Sequence, residues 1–92
     1  MYNKYAELRR SYLRTHKSGI YTGMLLTSKL DAHLKEIGAA AEEMLDRLIE
    51  QMKAAEGVTE QLKAENQMEW VGRMNNIQSR AEEIVLNELI YN

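Results

Sequence analysis

Apolar residues recur in steps of three and four along three stretches of the chain, with polar residues between them, which is the signature of amphipathic helices. In the first stretch, residues 2–16, Tyr5, Leu8 and Tyr12 share a face with Leu13 beside them, while Arg10, Arg14 and Lys17 project from the other side. Arg9 falls inside the apolar arc. The second stretch, residues 19–55, carries Ile20, Met24, Leu30, Leu34, Ile37, Ala41, Met44 or Leu45, Leu48 and Met52. The third, residues 60–91, carries Leu62, Trp70, Val71, Met74, Ile77, Ala81, Ile84, Val85, Leu89 and Ile90. Glu65, Glu69, Arg73, Asn76, Arg80, Glu83 and Asn87 mark its outer side, where Glu69 with Arg73 and Arg80 with Glu82 or Glu83 are expected to pair along the helix.

The strongest punctuation is Glu56-Gly57-Val58-Thr59. Gly57 can take the left-handed conformation that closes a helix, and Thr59 can cap the next one. Thr15-His16-Lys17-Ser18-Gly19 predicts an earlier corner, with Thr15 or Ser18 as the cap. Gly38 costs about 1 kcal/mol in a helix interior, but Ala39-Ala40-Ala41 favours continuation, so one long helix is expected, with a break at Gly38 as the alternative. Asn66-Gln67 and Asn75-Asn76 are polar interruptions of the third pattern.

The prediction is an all-α single domain over residues 1–92: a long antiparallel helical hairpin with a short basic helix closing its open end. Two helices cannot cover both flanks of their apolar stripes, so a homodimeric four-helix bundle is expected. Its seam would draw on Leu34, Ile37, Leu48, Met52, Trp70, Met74, Ile77 and Ile84. The six methionines fit as adaptable core filler or as a promiscuous binding groove.

Composition agrees with helices, because the chain has no Pro, Phe or Cys. Without cysteine there is neither a disulfide framework nor a thiolate metal site, which fits a cytoplasmic location. The start is interrupted by Lys4, Glu7, Arg9, Arg10 and Arg14, unlike a signal peptide, and the apolar patch from Ile20 to Leu30 is too short and broken to span a bilayer, so no membrane role is expected.

The net charge of −2 conceals an asymmetry: residues 1–35 hold seven Lys and Arg against two acids, a net +5, and residues 36–92 hold five against twelve, a net −7. Two readings fit the basic third. It docks on the acidic remainder or on a second copy, or Arg9, Arg10, Arg14 and Lys17, interleaved with Tyr5 and Tyr12, contact nucleic-acid phosphates. For Arg9 the first reading has its aliphatic stem covering the apolar stripe.

Candidate chemistry is sparse. His16 and His33 are the only histidines, and His33 with Glu36 forms one His-x-x-Glu pair where di-metal bundles need two such motifs and two further carboxylates. There is no nucleophile triad, no Gly-rich phosphate loop and no Walker or Rossmann pattern, so no enzyme, catalytic residue, metal, cofactor or small-molecule substrate is expected. Trp70 reads as a core or seam residue, or as an interface anchor for another protein. Gly19, Gly23 and Thr27 at four-residue steps leave a narrow face that another backbone could approach.

Residues 56–64 (EGVTEQLKA), Gln67-Met68-Glu69-Trp70-Val71, Arg73-Met74-Asn75, residues 80–86 (RAEEIVL) and Glu88-Leu89-Ile90-Tyr91 together resemble the TnpV family, small proteins encoded within bacterial transposons and conjugative elements. Residues 25–34 (LLTSKLDAHL) and Arg9-Arg10-Ser11-Tyr12-Leu13 fit the same pattern. The resemblance implies a mobile-element setting, with a recombinase or another element-encoded protein as partner and excisionase-like DNA binding as an alternative. It supplies no catalytic residues. Family members often carry an extended, proline-containing segment ahead of the basic helix, and this sequence starts almost at that helix.

Overall fold

The computed structural model describes all 92 residues, and every regular element in it is helical. The order is α1 Lys4–His16, α2 Ser18–Leu26, α3 Leu30–Glu56, α4 Glu60–Glu65, α5 Gln67–Val85 and a π-helical turn Leu86–Ile90. α3 and α5 run antiparallel from the Gly57 corner, giving a body of 56 × 20 × 19 Å. α1 lies against the first half of α3 and the π turn, so that end is three helices deep, with α2 attached outside it.

The corner forms for the expected reasons. Gly57 sits at φ 67°, ψ 30°, and the Val58 N–H returns to the Lys53 carbonyl at 3.0 Å, the closure of a Schellman motif. Val58 is buried behind it. The Thr59 hydroxyl then accepts from the Leu62 N–H at 3.1 Å and starts α4. Glu56 and Arg80 tie the two arms together, with Arg80 Nη2 at 2.8 and 2.7 Å from the carboxylate oxygens. Arg73 pairs with Glu69 as anticipated, but Arg80 serves Glu56 across the hairpin and not Glu82 or Glu83 within its own helix.

The long helix expected over 19–55 is two helices, and the break is not at Gly38. α2 ends at Thr27, Ser28 takes φ 59°, and the Lys29 N–H returns to the Met24 carbonyl at 2.8 Å. This is the same closure as at Gly57, built on a serine in the left-handed region where L residues pay a steric penalty. The Thr27 hydroxyl donates to the Gly23 carbonyl at 2.8 Å, competing for the last turn of α2. α3 continues without interruption through Gly38.

The helix expected over 60–91 is also divided. Asn66 leaves the helical region, and its side-chain oxygen accepts from the Glu69 N–H at 3.1 Å, so this residue caps α5. At the other end the backbone widens into the π turn, closed by the Tyr91 N–H to the Leu86 carbonyl at 2.9 Å. Lys17 alone links α1 to α2; neither Thr15 nor Ser18 acts as a cap.

Only 12 of 92 residues are buried, and eight of them form two small clusters. Tyr5, Ala41, Val85 and Ile90 form one, flanked by Leu8, Ile37, Met44, Leu45 and Leu48. Ala6, Leu13, Leu30 and Leu34 form the other, flanked by Tyr2, Tyr21 and Met24. Both lie where α1 covers the hairpin. Beyond them, toward the corner, the hairpin is two helices deep.

Candidate functional site

α1 is held at its start by three side chains. The Tyr2 hydroxyl donates to Asp31, the Asn3 amide donates to the Gly38 carbonyl at 3.0 Å, and Lys4 pairs with Glu82 at 3.2 Å. Asn3 also caps the helix, its Oδ1 accepting from the Ala6 N–H at 2.9 Å. The Tyr2 hydroxyl, and Lys35 after it, hold the Asp31 carboxyl below its ordinary value, and Lys4 does the same for Glu82. Burial raises the Tyr5 phenol.

These ties orient the basic residues unequally. Arg9 turns inward, where Nη1 donates to the Ile90 carbonyl at 2.8 Å, to the Asn92 carbonyl at 3.3 Å and to Asn92 Oδ1 at 3.2 Å. Its Nε donates to His33 Nε2 at 3.4 Å. The guanidinium therefore satisfies carbonyls at the end of the last helix, where a cation also complements the helix dipole. Arg10 lies 3.8 Å from Glu7, and Arg14 and Lys17 are exposed without an ion partner in the chain. Three cations of the basic patch thus face solvent, while the fourth belongs to the internal packing.

The histidines have local partners. His16 packs on Tyr12, with ring centroids 5.3 Å apart. The His33 Nε2 lone pair is taken by Arg9, and burial together with the Arg9 charge keeps His33 below the usual imidazole range against the opposing pull of Glu36. No three His, Asp or Glu side chains are grouped as metal ligands.

The eight seam residues separate into two groups. Leu34 and Ile77 are fully buried between the chain's own helices. Ile37, Leu48, Met52, Trp70, Met74 and Ile84 are half-buried. Lys63 Nζ lies 4.7 Å from the Trp70 ring centroid, and the Trp70 indole N–H is buried without an acceptor in the chain. Beside Trp70, Met68 is 88% exposed and Val71 42%.

The surface that sequence reasoning missed is α2. Ile20 and Met24 belong to the apolar pattern of a long helix, yet no residue of α2 is buried. Ile20, Leu25 and Leu26 stand at 52, 55 and 79% exposure, and a Cβ built on Gly19 or Gly23 would meet nothing within 4 Å. The available signal was Thr27-Ser28-Lys29, three polar residues at the point where α2 leaves the line of α3.

No helix is long and apolar enough to cross a membrane. No curated protein and no solved structure matches the chain. The family model for the transposon-encoded protein TnpV matches residues 1–90 of 92, and the chain belongs to that family.

Proposed function

We propose that this chain is a non-enzymatic helical accessory protein of a transposon, working in the cytoplasm through self-association and through contact with another element-encoded protein, such as a recombinase. One observation carries the reading. The corner half of the hairpin is two helices deep, and its apolar residues Met52, Trp70 and Met74 are only half-covered. Soluble helices conceal such stripes in bundles of three or four, and a second copy supplies the missing helices with the same surface. The test is co-purification from a host carrying the element, comparing the native chain with Trp70→Glu and Met74→Glu. The reading expects an element-encoded protein retained by the native chain and lost from the variants; retention of none would reject the partner.

A second reading, DNA binding through α1, is favoured by the absence of any Asp or Glu from residue 8 to residue 30, where Arg10, Arg14 and Lys17 face solvent. Binding to element-end DNA would weaken steeply with salt, because each neutralised phosphate releases counterions. Salt-insensitive or absent retardation would reject it.

A further inference from the structure

Two unpartnered apolar surfaces lie at opposite ends of the chain and carry opposite charge. At the open end, α2 is uncharged along its length and exposes Ile20, Leu25 and Leu26. Around it stand Arg14, Lys17 and Lys29, none of which has an ion partner in the chain. At the corner end, Met68 and Val71 are exposed beside the half-buried Trp70. That end carries Glu60 and Glu65, which also lack an ion partner. Over residues 50–73 there are five acids against three Lys and Arg, a net −2.

From this we infer that two copies pair antiparallel, the α2 end of each seated on the α4–α5 corner of the other. The inference rests on the self-association proposed above and adds its direction and its contact surfaces. A two-fold axis makes every contact occur twice. Antiparallel pairing therefore brings each basic rim to an acidic one, whereas parallel pairing would bring basic to basic and acidic to acidic. The exposed apolar side chains of α2 then meet Met68 and Val71, and the open flank at Gly19 and Gly23 admits a helix at short range. A stable dimer needs about 800 Å² from each partner, a small share of the 6129 Å² that the chain exposes.

Charge reversal tests the direction. One full-length variant carries Arg14→Glu, Lys17→Glu and Lys29→Glu; the other carries Glu60→Lys and Glu65→Lys. Light scattering of the native chain should give twice its 10.7 kDa mass. Each variant alone should dissociate at least tenfold more readily, since like charges then face each other at both ends. Mixed in equal amounts, the two should restore a dimer, seen as a one-to-one heterodimer by native mass spectrometry. That recovery also shows that both variants fold. A native dimer with variants that still dimerise alone, or with a mixture that stays monomeric, would overturn the antiparallel pairing and leave self-association standing. A monomeric native chain would overturn both, including one whose α2 end binds duplex DNA or anionic vesicles instead.

Discussion

The side-chain amide of Asn3 rests on the bare backbone of Gly38: Nδ2 donates to the Gly38 carbonyl at 3.0 Å, while a Cβ on Gly38 would lie 2.7 Å from Asn3 Oδ1. That oxygen is simultaneously the cap of α1. The glycine that weakens α3 locally is the place where the first helix is anchored. Gly38→Ala should therefore destabilise the protein by about 1 kcal/mol, because losing a cap and a hydrogen bond outweighs the gain in helix propensity. On an Asn3→Ala background the same substitution should stabilise by a few tenths of a kcal/mol or more. Chemical denaturation of the four proteins measures the reversal, and equal effects in both backgrounds would contradict the packing.

The two left-handed closures predict opposite responses. Ser28 occupies φ 59° with a side chain, and Gly57 occupies φ 67° without one. Ser28→Gly should raise stability by roughly 0.5 kcal/mol, and Gly57→Ala should lower it by about 1 kcal/mol. Thermal unfolding monitored by circular dichroism would show the midpoints moving apart. If Ser28→Gly lowers the midpoint, the α2–α3 break is not held by that residue.

Arg9 separates from its basic neighbours in a stability assay. Arg9→Ala removes the donor to the Ile90 and Asn92 carbonyls and should cost about 1–2 kcal/mol. Lysine should restore little, because its single ammonium cannot serve the carbonyls and His33 together as Nη1 and Nε do. Arg10→Ala, Arg14→Ala and Lys17→Ala should each stay within about 0.5 kcal/mol of the native chain. Equal losses at all four positions would erase the distinction.

The contact between Arg9 and His33 makes stability depend on pH. Burial and the Arg9 charge lower the His33 pKa in the folded chain, so the unfolded chain binds the proton more readily. Stability is therefore fully present above about pH 6.5 and declines as the pH falls through that value. Protonation also removes the lone pair that accepts from Arg9. His33→Gln should flatten the change in unfolding midpoint between pH 7.5 and pH 5.5; an unchanged slope would place the titration elsewhere.

The hairpin was legible because its determinants are local. Gly57 and Thr59 act within four residues, and the apolar steps of α3 and α5 continue on both sides. The break at Ser28 was not, since serine seldom takes a left-handed conformation and the apolar spacing runs on from Met24 to Leu30 as if the helix did. Asn66 was visible as an interruption, but whether an Asn breaks a helix or sits on its surface depends on which backbone N–H its side chain reaches. Arg9 was placed on the apolar arc by angle alone. Its partners, Ile90 and Asn92, are more than eighty residues away, a distance no periodicity conveys. The exposed face of α2 followed from the Ser28 break and was hidden with it.

Sedimentation equilibrium of the native chain over a hundredfold range of concentration tests the central claim, that a hairpin half-covered at its corner is completed by a second copy. A reversible approach to twice the 10.7 kDa chain mass, weakened by Trp70→Glu and Met74→Glu, is the predicted result. A constant mass of one chain at every concentration, with cooperative unfolding, would contradict it.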